Sequence, residues 1–119
     1  MSAAPLDHSK LTTLVGYVAS RAALVLRKDF ERSLGPLGLK VLDYSLLVLV
    51  ASNAEVNQKQ LGEALDISAP NMAITIDRLV ERGWVERVRS TQDRRAMIIH
   101  LTAAGRELVK RAQKIAATM

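Results

Sequence analysis

Several residue types that build common functional sites are absent or scarce in this chain of 119 residues. It has no cysteine, which excludes disulfides, thiol nucleophiles and thiolate metal sites. His8 and His100 are its two histidines, and nothing at useful spacing supplies a third ligand, so we expect no metal site. HExxH, GxSxG and glycine-rich phosphate-binding motifs are also missing. The sequence therefore predicts neither an enzyme nor a bound cofactor.

No apolar run in the sequence is long enough to cross a membrane. The longest strongly apolar stretch, residues 46–51, is far below the roughly 20 residues that a membrane helix requires. Arg21, Arg27 and Lys28 interrupt the segment that begins at Leu11, so no secretory signal is predicted. We expect a cytoplasmic protein.

The composition favours packed helices and one positively charged region. Hydrophobic residues make up 49% of the chain but aromatic residues only 3%, which favours a mostly helical fold. The net charge is +5. Between Arg78 and Lys114 there are ten Lys and Arg against four acidic residues, whereas the remainder has seven against eight. Such asymmetry indicates a surface that binds a polyanion, the alternative being a basic face that is merely solvated.

The first third of the sequence predicts one long amphipathic helix. Apolar residues recur there at three- and four-residue steps from Leu11 onwards. The helix is expected to begin at a cap formed by Asp7 or Ser9 and to end near Gly35 and Pro36. At about 1.5 Å per residue it would reach roughly 40 Å, too long for so small a domain to cover. We expect a second copy of the chain to cover its apolar face.

The middle of the sequence predicts three further helices. Residues 40–52 are apolar over most of a helix circumference, as in a central core helix. Asn57 opens a capping box for a short helix, and Ser68 can cap the next one, with Pro70 in its first turn. Gly83 is expected to end that helix in the left-handed conformation. Two short helices joined by a tight turn predict a helix-turn-helix.

A hairpin and a last helix follow. Residues 84–89 and 96–101 predict two strands around the polar loop 90–95. One face of the hairpin is expected to pack inward because three residues alternate there: Met97, Ile99 and Leu101. Thr102 can cap the last helix, whose apolar row is expected to face either the first helix or another subunit. That row is Leu108, Ala112, Ile115 and Met119.

The second helix of the helix-turn-helix carries the residues expected to enter a DNA major groove. Its inner stripe is Met72, Ile76 and Leu79, so the 100° helical step turns the remaining residues outward or along a flank. The candidate contacts are Ser68, Ala69, Pro70, Asn71, Ala73, Ile74, Thr75 and Arg78. Among them, amide and guanidinium groups can read base edges or bind phosphate, and apolar groups can press on a thymine methyl. The alternative is a generic, partly exposed helix.

The hairpin, or wing, carries a second set of candidates. Arg94 and Arg95 at its tip suit the negative potential of a narrow minor groove. Arg87 and Arg89 are expected to line the approach to phosphates. Asp93 is expected to support the wing, either by fixing Arg95 or by reaching Arg78. The alternative is a solvated turn that contacts no DNA.

Four motifs stand close together in this part of the chain. They are Gln60–Leu65 (QLGEAL), Ile67-Ser68, residues 77–87 (DRLVERGWVER), and residues 93–96 (DRRA) running to residues 101–106 (LTAAGR). Together with the long preceding helix, they resemble the MarR family of bacterial regulators. The likeness extends from about Leu39 to Leu108.

The resemblance implies a homodimer in which the first and last helices of both chains interlock. Two winged lobes would bind a pseudo-palindromic operator in double-stranded DNA, with Arg95 in the minor groove. A small aromatic or phenolic effector, held between the dimer helices and the lobe, would release the DNA. The expected architecture is one winged helix-turn-helix domain, 1–119, mainly α with a small β-wing. Its parts are dimerisation helices 7–34 and 102–119 and a DNA-binding lobe 37–101 with the wing 84–101.

This sequence departs from the family pattern in three places. Ala73 and Ile74 stand where Thr and Arg are frequent, so the base contacts and the operator are expected to differ. Lys40 stands where Thr or Ser usually caps the second helix. The chain ends at Met119, before the further helix of most relatives, so we expect either a smaller dimer interface or a shortened sequence.

The effector site and the partner class leave alternatives open. Tyr17 and Arg21, four residues apart on the first helix, are the candidate ligand-binding residues, because an arginine can bind a carboxylate. Such a pair can equally be an interfacial contact or lie along apolar surface. The alternative function is a winged-helix protein–protein interaction module without specific DNA binding, in which the basic hairpin contacts an acidic partner.

Overall fold

The computed structural model describes residues 6, 10 and 14–118 of the chain. Five helices and one antiparallel hairpin follow one another in the order of a winged helix-turn-helix, as the sequence predicts. They are α1 (Val15–Leu34), α2 (Val41–Ser52), α3 (Gln58–Leu65), α4 (Ala69–Glu81), β1 (Val85–Arg89), β2 (Met97–Leu101) and α5 (Ala103–Ala116), with a short 3-10 turn at Gly35–Leu37.

The long first helix begins later than the sequence suggests. Its first residue is Val15, and Leu14 precedes it in an extended conformation without a side-chain cap bond. The expected caps, Asp7 and Ser9, lie outside the described residues. The helix ends at Leu34 as expected, because the backbone tightens into the 3-10 turn at Gly35.

Side-chain caps set the beginnings of α3, α4 and α5. The side chain of Asn57 accepts from the backbone N–H of Gln60 at 2.8 Å, and the Gln60 side chain accepts from the N–H of Asn57 at 2.9 Å. Thr102 caps α5 by accepting from the N–H of Gly105 at 3.0 Å. Ser68 caps α4, and Gly83 follows that helix with a φ of 81°. The predicted caps are therefore confirmed. The capping side chains bond to backbone N–H groups that have no partner within the helix, and Gly83 has the left-handed conformation expected after α4.

The core lies between α2, α4, α5 and the base of the wing. The inner stripe of α4 is fully buried, as predicted, and Leu46 and Leu47 of α2 pack into the same cluster. The apolar row of α5 also packs inward: Leu108 and Ala112 are buried, while Met119 lies outside the described residues. Of the two alternatives for this row, the first helix or another subunit, the single chain supports the first, since α5 contacts α1; it also contacts α2, which was not predicted.

The wing pairs β1 with β2, from Val85 opposite Leu101 at its base to Arg89 opposite Met97 near its tip. Ile99 and Leu101 are buried as predicted, but Met97 is exposed. That expectation was wrong because Met97 lies at the end of the ribbon farthest from the core. Ile98, on the other face, is buried instead.

Within the described part of the chain, no single helix has the length and hydropathy needed to cross a membrane. The stretches Val15–Leu37 and Val41–Ser52 satisfy that test only as a pair, and a bend of 73° separates them.

Candidate DNA interface

The outer side of α4 is open to solvent from its first turn onwards. Ser68, Ala69, Pro70 and Asn71 are exposed, and Ala73 is half-buried. Ile74 is a large apolar side chain that is 65% exposed. The exposed side therefore has polar side chains at Ser68 and Asn71 and an apolar side chain, Ile74, near its centre.

Thr75 does not belong to this surface. It is buried, with 6% of its surface exposed, and its hydroxyl donates to the backbone oxygen of Asn71 at 3.0 Å. The expectation that Thr75 lies on an accessible flank was wrong. Thr75 lies about 40° beyond Leu79 around the helix, next to the inner stripe, so the buried arc of α4 is wider than the stripe alone.

Arg78 is anchored by an acidic residue of α2. Its guanidinium forms an ion pair with Asp43, whose side chain is 1% exposed. The other oxygen of Asp43 accepts from the backbone N–H of Lys40 at 3.0 Å, which satisfies the start of α2 where the sequence lacks a Thr or Ser cap. The Arg78 side chain is 37% exposed, so it remains accessible to solvent. Arg78 thus pairs with Asp43, and not with Asp93 as one alternative suggested.

Arg87 joins the wing to the helix-turn-helix. Its Nη2 lies 2.6 Å from a carboxylate oxygen of Asp77 on α4 and donates to the side-chain oxygen of Gln58 on α3 at 3.3 Å. Three elements thus meet at one guanidinium. The exposed flank of α4 and the outer edge of β1 consequently form one continuous surface.

The tip of the wing presents two exposed arginines on a braced loop. Arg89 donates from Nη1 to the backbone oxygen of Arg94 at 2.8 Å. Asp93 accepts from the backbone N–H of Arg95 at 3.0 Å and lies 3.5 Å from its Nε. The Arg95 side chain is nevertheless 93% exposed. Of the two roles considered for Asp93, the structure has the contact with Arg95.

A carboxylate outside the hairpin, which no motif in the sequence indicates, holds the base of this loop. Glu55, between α2 and α3, accepts from the Ser90 hydroxyl at 2.9 and 3.2 Å and from the backbone N–H and the hydroxyl of Thr91, both at 3.2 Å. The bond from Ser90 is the largest influence on the pKa of Glu55, which lies below its ordinary value. Desolvation opposes this shift, while the Thr91 bonds and the charge of His100 add to it.

A second unforeseen contact fixes the end of α4. The guanidinium of Arg82 donates from Nη1 to the backbone oxygen of Gly38 at 2.7 Å and lies 4.2 Å from the centre of the Trp84 ring. Because Gly38 precedes α2, this arginine connects the end of α4 with the segment before α2. No periodicity in the sequence signals either contact, since the partners are far apart in the chain.

The residues proposed for an effector lie on α1. Arg21 is exposed and Tyr17 half-buried. Neither lines the cleft of about 350 Å³ that opens between the end of α2, β2 and α5. Apolar side chains and three basic residues line this cleft, and the basic residues are His100, Arg106 and Lys110. Among the described residues, no three His, Asp or Glu side chains are grouped closely enough to hold a metal ion.

Comparisons with known proteins agree with this architecture. Residues 37–96 match the family model described as MarR family. The solved structure of the transcriptional repressor CouR bound to a 23-mer DNA duplex superposes with a TM-score of 0.88 and 36% identity, covering 97% of this chain and 81% of that one. CouR from Rhodococcus jostii bound to p-coumaroyl-CoA gives 0.85 and 32%, covering 91% and 76%.

A repressor from another bacterial genus is also similar to this chain in sequence. An HTH-type transcriptional repressor of Mycobacterium tuberculosis is 29% identical over 101 residues, which are 85% of this chain and 73% of that protein. The family model covers half of the chain, and the identity to CouR extends over nearly all of it. The chain therefore belongs to the MarR family of transcriptional regulators.

Proposed function

We propose that this protein is a sequence-specific DNA-binding repressor that acts as a homodimer and is released by a small ligand. The observation that carries the proposal is the continuous surface formed by the exposed side of α4 and the arginine-tipped wing, joined at Arg87 and Asp77. The similar repressor CouR was solved on a DNA duplex, which supports a DNA partner here as well.

In this proposal α4 lies in the major groove. Asn71, in the exposed first turn, has an amide that can pair with an adenine edge. Ile74 supplies an apolar contact suited to a thymine methyl. The Arg78 side chain is 37% exposed, and since its guanidinium has five N–H donors it can also donate to a phosphate.

The wing adds contacts to the neighbouring minor groove. Arg95 is almost fully exposed, and Arg94 is exposed next to it, so both can insert where the groove is narrow. Arg87 and Arg89 are already bonded within the protein, which gives them a bracing role. Because each guanidinium has five N–H donors, both can still donate to phosphates at the edge of the surface.

The uncovered apolar face of α1 supports the homodimer. Val15 is 85% exposed, and Val18, Leu24, Val25 and Leu26 are also exposed. Only Phe30 and Leu34, at the far end of the helix, are buried in the lobe. A second copy that covers this face would bury the apolar surface and place two DNA-binding lobes on one molecule.

We place the effector between the dimer helices and the lobe. The cleft between the end of α2, β2 and α5, which we call the α5 cleft, has apolar walls and the cations of Arg106 and Lys110. The apolar walls suit an aromatic ring, and the cations suit a carboxylate or the anionic carrier of a thioester. The structure of CouR with p-coumaroyl-CoA supports this ligand class. The Tyr17 and Arg21 pair on α1 remains the competing site.

DNA binding is tested with fragments selected from a bacterial genome by the purified protein. Arg95→Ala is expected to weaken binding about tenfold or more without unfolding the chain, because it removes a minor-groove contact. Asn71→Ala is expected to relax the base preference at one position of each half-site. Arg32→Ala, on an 80%-exposed arginine of α1, is the matched control and should leave affinity unchanged. Failure to select any sequence would favour the protein–protein alternative.

The effector site is tested by titrating the protein–DNA complex with p-coumarate and with p-coumaroyl-CoA. Lys110→Gln is expected to raise the concentration needed for release several-fold, because it removes a cation from the cleft. Arg21→Gln serves as the matched variant for the α1 site. If only Arg21→Gln changes the release, the α5 cleft is the wrong site.

A further inference from the structure

A segment outside the wing is docked along its base. Residues 53–57 connect α2 with α3, and the backbone oxygen of Val56 in this segment accepts from the N–H of Ile99 on β2 at 2.8 Å. Val56 itself is buried. The neighbouring Glu55 is therefore held at a fixed position beside the hairpin, and its side chain extends towards the start of the loop that carries Arg94 and Arg95.

The Glu55 carboxylate and the loop form a connected set of hydrogen bonds, which we call the wing latch (Glu55, Ser90 and Thr91). Ser90 is buried, and while its hydroxyl donates to Glu55, its oxygen accepts from the backbone N–H groups of Gln92 and Asp93, both at 3.1 Å. The backbone N–H of Ser90 donates to the oxygen of Ala96 at 2.9 Å. The carboxylate thus holds the hydroxyl around which the loop turns.

Because Glu55 is negatively charged, the change in DNA affinity when its charge is removed distinguishes a positioning role from electrostatic repulsion of the DNA. An acidic group beside a DNA-binding wing repels phosphate, so removing its charge should tighten binding if charge alone mattered. The contacts of Glu55 give the opposite expectation. Without them the loop would sample more conformations, and its arginines would lose more entropy on binding.

We propose that Glu55 is a positioning residue that holds the wing loop in the conformation in which Arg94 and Arg95 reach DNA. The inference rests on the proposed function for its effect on DNA, but the latch itself can be measured in the free protein. Glu55 touches no DNA in this proposal and acts through the wing arginines.

Hydrogen exchange in the free protein tests the latch directly. In Glu55→Gln the amides of residues 91–93, whose N–H groups bond to Glu55 or to the Ser90 oxygen, are expected to exchange about tenfold faster, which corresponds to the loss of roughly one charge-assisted hydrogen bond. Glu55→Asp keeps the charge but shortens the reach, and should accelerate the same amides. Glu63→Gln, on an exposed acid of α3, is the matched control and should change none of them. Unchanged exchange in both Glu55 variants would overturn the proposal.

DNA affinity tests the positioning role. Glu55→Gln is expected to weaken binding several-fold although it removes a negative charge, whereas Glu63→Gln should leave binding equal or tighter. In a chain that already carries Arg94→Ala and Arg95→Ala, Glu55→Gln should cause no further loss. Tighter binding by Glu55→Gln, or an equal loss without the arginines, would refute the role. If the unmodified protein selects no DNA sequence, the proposed function fails, while the exchange result still decides whether the latch exists.

Discussion

At the scale of single residues, the pair of Asp43 and Arg78 is asymmetric. Asp43 is almost completely buried, whereas Arg78 keeps contact with water. Removing the arginine leaves a buried carboxylate that still accepts from the N–H of Lys40 but has lost its cation, whereas removing the acid leaves a cation that water can still solvate. The two losses should therefore differ in size.

We predict that Arg78→Met lowers the free energy of unfolding by about 3 kcal/mol, and that Asp43→Asn lowers it by less. Methionine keeps most of the apolar stem of arginine, so the change removes mainly the guanidinium with its charge and hydrogen bonds. Urea denaturation of both variants and of the double variant measures the coupling between the two residues. Equal losses in the two single variants would contradict the asymmetry.

The second prediction at this scale concerns the carboxyl group of Glu55. Because the bond from Ser90 is the main cause that lowers its pKa, Ser90→Ala should raise that pKa towards its ordinary value. A depressed pKa in the folded state means that the latch contributes above the pKa of the unfolded chain and weakens as pH falls through the folded value. Carbon-13 NMR titration of the Glu55 carboxyl measures the shift. A pKa unaffected by Ser90→Ala would refute the assigned cause.

At the scale of elements, the joint between the wing and α5 is tightly packed. A Cβ added to Gly105 would lie 2.0 Å from the backbone oxygen of Trp84, which also accepts from the N–H of Thr102 at 3.0 Å. We predict that Gly105→Ala destabilises the fold by about 2 kcal/mol or more, because backbone must move. Gly35→Ala is the control, since nothing lies within 4 Å of its added Cβ and its φ is −52°. Thermal unfolding of both variants decides the matter.

The elements differ in how far the sequence determines them. Caps and periodicity act within four residues, which is why α3, α4 and α5 begin where Asn57, Ser68 and Thr102 predict. Thr75 and Met97 were misplaced because their burial depends on how wide an arc of α4 and how much of the wing the core covers. Periodicity along one element does not contain that information.

Contacts between residues far apart in the chain could not be predicted from the sequence. Glu55 meets Ser90 across 35 positions, and the same separation divides Asp43 from Arg78. A single acidic residue in a loop gives no sign of its partner until the fold brings the two together. The candidate DNA surface was easier to predict, because exposure opposite an apolar stripe follows from helix geometry alone.

At the scale of the whole molecule, the exposed apolar face of α1 predicts a dimer. Val25→Asp should shift the protein to monomers, because a charge at a buried interface is unpaired, while the lobe stays folded since Val25 is 58% exposed in the single chain. Ile74→Asp is the control with the same change on α4, and it should keep the dimer but lose DNA binding. Sedimentation at micromolar concentration distinguishes the two. A monomeric unmodified protein would contradict the dimer.

The salt dependence of DNA affinity tests the central claim most directly, namely that α4 and the wing bind DNA as one surface. For a selected operator fragment, log affinity should fall linearly with log salt, and Arg95→Ala should reduce the slope by about 1 if its guanidinium neutralises a phosphate charge. Circular dichroism of the variant ensures that the fold is intact. An affinity that does not respond to salt, or a slope and affinity identical in Arg95→Ala, would contradict the account.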